Sequence, residues 1–174
     1  MLPIAVDAMG GDEAPGPILA GAHRAAAAGT PVALVGPADL AGRSVDGGPE
    51  LPLIEASEVI GMHDDPAQGV RRKKDSTLVR AAEAVRDGHA SAMISAGNTG
   101  ATMAAALLRM GRISGVKRPA VATPIPVPGA NPTILLDAGA NSEVQAEWLV
   151  PVSYTHLTLP TSKPKCRSRW SADR

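Results

Sequence analysis

Ile94-Ser95-Ala96-Gly97-Asn98-Thr99-Gly100, followed at once by an apolar helical stretch to Met110, decides the reading of this chain. It reads as a buried strand, a tight glycine turn and the N-terminus of a helix over 99–110. The first backbone N–H groups of a helix have no intrahelical partner, and the aligned peptide dipoles make that end locally positive. A phosphate or carboxylate is a natural guest there, and Gly97 and Gly100 let the backbone approach it without a Cβ in the way. The turn is neither a Walker A sequence nor a GxGxxG. An ordinary strand-to-helix connection that needs glycine for its dihedrals would carry the same letters. The helix is apolar nearly all round, which predicts burial on more than one side.

Outward from this turn the chain alternates. Residues 3–7 form a short apolar run, predicted as a buried strand, with Gly10-Gly11 as the turn after it. Pro15 or Pro17 sits where a first helical turn tolerates proline; Ile18, Leu19, Ala22 and Ala26 share one face, and Gly29 suits the stop. Strands are predicted over 31–35 and 53–55, separated by a Gly-, Pro- and Asp-rich loop with at most a short helix. Asp64-Asp65-Pro66 reads as the start of a helix that carries a basic run. Ser76 is placed as the N-cap of another, in which Leu78, Ala81, Ala82 and Val85 have helical spacing and which Gly88 ends. Strands over 92–95, 119–123 and 133–137 follow, the last two separated by a proline-rich turn. Asn141 or Ser142 caps a final helix. Strands alternating with helices predict a mainly parallel sheet with helices on both faces. Ligands gather beyond the carboxyl ends of strands in such sheets, which is where residues 7–12, 95–99 and 137–141 fall.

The 174 residues suffice for one domain with a real core, but Phe is absent and the only aromatics are Trp148, Tyr154 and Trp170. The core must be built from Ala, Val, Leu, Ile and Met. Net charge is zero, which gives no bulk electrostatic reason to expect nucleic acid or an acidic membrane as partner. Residues 1–150 carry 12 Lys/Arg against 16 Asp/Glu, whereas residues 151–174 carry 5 against 1. The single cysteine, Cys166, excludes an intrachain disulfide and offers no metal cluster. No secretory signal or membrane-span run is evident, and a cytoplasmic protein is expected.

Three further segments join the opening stretch: Val6-Asp7-Ala8-Met9-Gly10-Gly11-Asp12, Arg71-Arg72-Lys73-Lys74-Asp75-Ser76 and Leu135-Leu136-Asp137-Ala138-Gly139-Ala140-Asn141. With Ser57-Glu58-Val59-Ile60-Gly61-Met62 between the first two, they resemble, in this order, the N-terminal half of the bacterial phosphate acyltransferases of phospholipid synthesis. The resemblance covers about residues 2–150. It implies a truncated three-layer α/β/α fold with a mainly parallel sheet, like those of phosphotransacetylases and isopropylmalate dehydrogenases. It implies transfer of a fatty acyl group from acyl carrier protein to inorganic phosphate, giving acyl phosphate. It also implies a homodimer, a chain that continues for about as long again, and no cofactor; any peripheral membrane contact would come through that missing half. This chain alone is therefore expected to be inactive and poorly stable. From about Pro151 the sequence departs from the family pattern, and residues 151–174 are expected to be a disordered tail or a translated adaptor.

The residues that can carry chemistry follow from both readings. Asp7 and Asp12, with the Gly10 and Gly11 amides, would shape a substrate or phosphate pocket, although Asp12 alone reads better as a cap for the helix near Pro15. Paired carboxylates would suit Mg²⁺, but no ligand spacing demands a metal. Arg71 to Lys74 are either a solvated face or a recognition site for phosphate or the acidic surface of acyl carrier protein. The resemblance favours recognition, because the run continues into Asp75-Ser76. His23, His63 and His89 are scattered, and there is no GxSxG elbow or cysteine nucleophile in the body. With phosphate as acceptor this makes sense: a thiolate leaves readily, its thiol having a pKa near roughly 8.5. Phosphate is already an anionic nucleophile, so orientation and charge stabilisation are what the protein must supply. Asn98 and Asn141 are the expected catalytic groups. Gly97, Thr99, Gly100, Asp137, Arg72, Lys73, Lys74, Asp75 and Ser76 join Asp7, Gly10, Gly11 and Asp12 as expected binding residues. A coenzyme A thioester as donor, or a non-catalytic anion- or partner-binding fragment, are the competing readings.

Overall fold

Val32-Ala33-Leu34-Val35-Gly36 is buried at every position, as a strand covered on both faces must be. It is the second strand, β2, of a four-stranded parallel sheet in the order β3-β2-β1-β4, with β1 at Ile4–Asp7, β3 at Leu53–Glu55 and β4 at Ala92–Ile94. The computed structural model describes residues 1–45, 47–112 and 119–136, and the chain divides into two units, Met1–Gly111 and Arg112–Arg174. In the first unit the helices are α1 (Gly16–Ala27), α2 (Pro66–Arg72), α3 (Thr77–Arg86) and α4 (Thr99–Ala105). A short 3-10 turn at Ala38–Leu40 follows β2. No helix among the described residues is long and apolar enough to cross a membrane.

Alternation along the strands divides the core into layers. Val32 and Leu34 pack with Leu19 and Ala22 of α1, together with Ala8, Leu40 and Leu51. Val35 and Ala5 face the opposite way, into a small-residue layer with Ala81 and Ala84 of α3, Ala56 and Ala90. The result is helix, sheet, helix. A further cluster of Ile60, Val70, Leu78, Val79, Ala82, Ala101 and Ala105 ties α2, α3 and α4 together. The largest fully buried apolar side chains are Leu and Val, as a chain without Phe requires.

Several sequence expectations change in detail. The helix expected over 99–110 is α-helical only to Ala105 and continues as a π-helical turn, Ala106–Met110, before Gly111 ends it with φ 90. Its burial falls on Ala101 and Ala105, while Leu108 is exposed. The position before α1 is Pro15, with no side-chain cap, and Asp12 is exposed; the capping role expected for Asp12 is not filled. Pro17 is the proline inside the first turn, and Gly29 stops the helix with φ 91, a conformation that disfavours any residue with a Cβ. Ser76 occupies the N-cap position of α3 but makes no capping bond, its buried hydroxyl having no partner among the described residues.

The second unit is described over 119–136 together with Arg112. There β5 (Ala122–Ile125) pairs antiparallel with β6 (Thr133–Leu136), from Ala122↔Leu136 to Ile125↔Thr133. Two consecutive strands joined by a short turn, with no helix between them, can only pair this way. The turn contains Gly129 at φ 70 and an Ala130 N–H to Val127 carbonyl bond of 3.2 Å. The strand expected at 119–123 thus lies slightly later, and this pair forms its own two-stranded sheet. The final helix expected from Asn141 or Ser142 lies outside the described residues.

Candidate functional site

β1 and β4 are neighbours in register Val6↔Ile94, so Asp7, the last residue of β1, and Ser95, the first beyond β4, follow side by side at the carboxyl end of the sheet. The Asp7 side chain is buried, with 2% of its surface exposed. One carboxylate oxygen accepts the Met9 N–H at 3.1 Å, and the other accepts the Ser95 hydroxyl at 2.7 Å. The Ser95 oxygen in turn accepts the Gly97 N–H at 3.0 Å. A three-member relay therefore runs from strand end to glycine turn.

The glycines of the two turns meet over this relay. A Cβ on Gly10 would lie 2.7 Å from both Asp7 Oδ2 and Ser95 Oγ and 2.9 Å from the Gly97 nitrogen. A Cβ on Gly97 would lie 3.2 Å from the Gly10 Cα. Neither residue has a positive φ, so close approach, rather than unusual dihedrals, is what demands glycine at both. Gly11 is different: its φ of 106 is the left-handed region itself. At Gly100 the constraint is again space, because a Cβ would sit 2.8 Å from the Pro66 Cγ at the start of α2.

Asn98 is 8% exposed and caps α4, its Oδ1 accepting the Ala101 N–H at 3.0 Å. Its Nδ2 faces three carbonyl oxygens, of Met62 at 3.1 Å, Asp64 at 3.3 Å and Gly61 at 3.4 Å. Both ends of the amide are thus engaged with the protein. The side chain fastens the 61–64 loop to the helix. The Thr99 and Gly100 amides, as part of the first turn, lie outside the intrahelical ladder. Thr99 is exposed beside them.

The basic run is divided by its environment. Lys73 turns inward, donating to the Val59 carbonyl at 2.8 Å and to Asp64 Oδ2 at 2.6 Å. The Lys73 ammonium holds the Asp64 carboxyl below the usual range, helped by the Gly61 N–H. Asp75 accepts from the Ser57 hydroxyl and N–H and from Arg80 Nε, and its pKa falls from 3.8 to about 2, the Ser57 hydroxyl bond being the largest cause. The Glu58 carboxylate completes the joint by accepting the Asp75 N–H at 3.0 Å. Arg71, Arg72 and Lys74 are exposed. Arg72 and Lys73 line a shallow pocket of about 180 Å³ with Asp64, Asp65, Gln68 and Gly69, whose two carboxylates make it a poor place for a free anion.

Of the expected residues, the structure brings Asp7, Gly10, Gly11, Gly97, Asn98, Thr99 and Gly100 to one sheet edge. Lys73, Asp75 and Ser76 belong to the joint between the 57–64 segment and the start of α3. Asp137 and Asn141 lie outside the described residues. The sequence places Ser95 at a ligand-gathering strand end but gives it no role of its own; its bond to Asp7 shows only once β4 is seen beside β1. Sequence reading also passed over the pairing of Asp64 with Lys73, which depends on a loop fold that no spacing rule shows.

A family model described as fatty acid synthesis protein matches residues 2–161, a span that runs past Val150. The chain is 47% identical over 148 residues to a phosphate acyltransferase of Geobacillus thermodenitrificans (strain NG80-2), an overlap of 84% of this chain and 45% of the relative. It is 48% identical over 143 residues to one of Anaeromyxobacter dehalogenans (strain 2CP-C), covering 79% of this chain and 39% of that protein. To one of Bacillus pumilus (strain SAFR-032) it is 41% identical over 169 residues, 93% of this chain and 51% of the other. The chain therefore spans about half the length of the curated relatives it matches. A match over most of its residues, on a chain whose glycine turns close over a parallel sheet edge, means that this protein belongs to the fatty acid synthesis protein family, to which its phosphate acyltransferase relatives point.

Proposed function

We propose that this chain is the N-terminal part of an enzyme that transfers a fatty acyl group from acyl carrier protein to inorganic phosphate. The observation that carries the reading is the meeting of the Gly10 and Gly97 turns at the carboxyl end of β1 and β4, in a chain 41–48% identical to proteins named phosphate acyltransferase. Strand ends of this kind are where open α/β sheets take their ligands. Unpaired first-turn amides next to two glycine-bearing turns suit an oxyanion.

In the reaction a phosphate oxygen attacks the thioester carbonyl, the new C–O bond forms and the C–S bond breaks. The carrier leaves as its thiolate and takes a proton from water. No protein nucleophile is needed, because phosphate already attacks as an anion and a thiolate is a good leaving group. The protein's contribution is placement and charge stabilisation. In this reading the Gly11, Thr99 and Gly100 backbone faces the phosphate, Asn98 holds the turn that presents it, and Arg71, Arg72 and Lys74 meet the acidic carrier. By resemblance alone, Asp137 is assigned to substrate binding and Asn141 to catalysis. The complete protein would act in the cytoplasm as a homodimer.

The test joins this chain to the remaining part of the Geobacillus thermodenitrificans relative and follows thiol release from acyl carrier protein as phosphate is varied. Saturable, phosphate-dependent release with acyl phosphate as product is expected. Turnover of acyl coenzyme A in preference to the carrier-bound thioester would replace the donor, and release independent of phosphate would refute the reading.

A further inference from the structure

Asp7 is the one carboxylate among the buried polar residues described, and no cation among the described residues pairs with it. Its only polar partners among them are the Met9 N–H and the Ser95 hydroxyl. Burying a carboxylate is expensive unless its hydrogen bonds compensate, so a group in this position serves some end. A ligand role is hard to reach from here. The Asp7 side chain is 2% exposed, and the Gly10 backbone lies over its outer oxygen so closely that a Cβ there would stand 2.7 Å away. An approaching phosphate would also meet a like charge.

Ser95 has no proton to spare at this geometry. Its single hydroxyl proton points to Asp7 Oδ2 at 2.7 Å, and the oxygen accepts the Gly97 N–H at 3.0 Å. The serine is thus a bridge between a fixed carboxylate and a turn amide. Charge-assisted bonds are stronger than neutral ones, and a carboxylate-bound hydroxyl is a better acceptor for a second donor.

We propose that Asp7 and Ser95 are a positioning pair: the buried carboxylate orients the Ser95 hydroxyl, the hydroxyl pins the Gly97 amide, and together they set the gap between the two glycine turns without touching substrate. The functional consequence rests on the reading that this edge receives phosphate. The pair's structural action stands on the three distances alone.

Two measurements separate these layers. In this chain as it stands, Ser95→Ala should speed hydrogen exchange of the Gly97 amide by about 10-fold or more while the amides of β2 keep their protection. In the chain joined to the rest of the Geobacillus relative, Ser95→Ala should raise the KM for phosphate by about 10-fold or more and leave the KM for the acyl donor within about twofold. Ser95→Thr, which keeps the hydroxyl, should restore most of the phosphate affinity. Asp7→Asn combined with Ser95→Ala should be no worse than the more damaging single change, because both remove one relay. Unchanged Gly97 exchange in Ser95→Ala would overturn the pair. So would equal rises in both KM values, or an acyl group found on Ser95 by mass spectrometry. If the joined wild-type protein binds and uses no phosphate while Gly97 exchange still responds to Ser95→Ala, the functional reading falls and the positioning pair stands.

Discussion

The Asn98 amide nitrogen lies 3.3 Å from the Asp64 carbonyl oxygen, in a fan that also takes in the carbonyls of Met62 and Gly61. The same side chain holds the Ala101 N–H through Oδ1. One buried residue therefore ties the start of α4 to the loop that leads into α2. Asp is as good an N-cap as Asn. Asn98→Asp would keep the cap but set a carboxylate oxygen against three carbonyl oxygens.

Asn98→Ala is thus expected to destabilise by about 1–3 kcal/mol, the loss of a cap plus unsatisfied carbonyls. Asn98→Asp should be at least as damaging despite its capping ability. Urea denaturation at neutral pH checks both. A loss under about 0.5 kcal/mol in Asn98→Asp would mean that capping is all the residue does.

Two glycine replacements should act in opposite directions. Gly10→Ala would drive a Cβ into Asp7, Ser95 and the Gly97 nitrogen, an overpacking expected to cost about 1–3 kcal/mol. Gly21, inside α1, has nothing within 4 Å of where an added methyl group would sit and no positive φ. Gly21→Ala should stabilise by about 0.5–1 kcal/mol through the helix preference of alanine. Thermal melts of both variants decide the matter, and the same sign for both would contradict the packing described.

The Asp75 joint makes stability depend on acid pH. The Ser57 hydroxyl and the Arg80 guanidinium favour the ionised carboxylate, lowering its pKa from 3.8 to about 2. A lowered folded-state value means a contribution fully present above the unfolded pKa and lost as pH falls through the folded one. That window runs from 3.8 down to about 2. Asp75→Asn should therefore flatten stability against pH across it and leave the slope at neutral pH little changed. An unaltered acid slope would show that the carboxylate is not held as described.

Arg71, Arg72 and Lys74 are exposed, and none has an ion-pair partner among the described residues, whereas Lys73 is held by Asp64. Arg72→Ala in the joined protein should raise the KM for acyl-carrier protein several-fold at low salt. The difference should fade at about 0.5 M salt, where screening shortens the reach of surface charges. Lys73→Ala should instead lower stability, by loosening the 59–64 loop. A salt-independent Arg72 effect would place that residue inside the reaction site.

Much of the first unit was legible in sequence. The continuous apolar run of β2, the helical spacing of Leu78, Ala81 and Ala82, and the stops at Gly29 and Gly88 follow from periodicity and backbone sterics. The meeting of the two glycine turns was legible only as a rule about strand ends. What escaped were features that depend on distant partners. Ser76 has the right letter for a cap, but its backbone is bridged to Glu58 and its hydroxyl makes no capping bond. The antiparallel pairing of β5 with β6 turns on the short link between them rather than on the strands themselves. Gly97 reads equally as a dihedral or a clearance requirement until Gly10 is seen opposite it.

The most direct test of the proposed phosphate edge is the phosphate dependence of thiol release from acyl-carrier protein by the joined protein carrying Gly97→Val. The branched side chain would press on the Gly10 Cα and the Ser95 hydroxyl and occupy the front of the turn. The expected result is a fall of roughly 10²-fold in kcat/KM for phosphate in a protein that still folds, with the acyl donor's KM little changed. A folded Gly97→Val protein with wild-type phosphate saturation and turnover would place the anion site elsewhere and contradict the assignment.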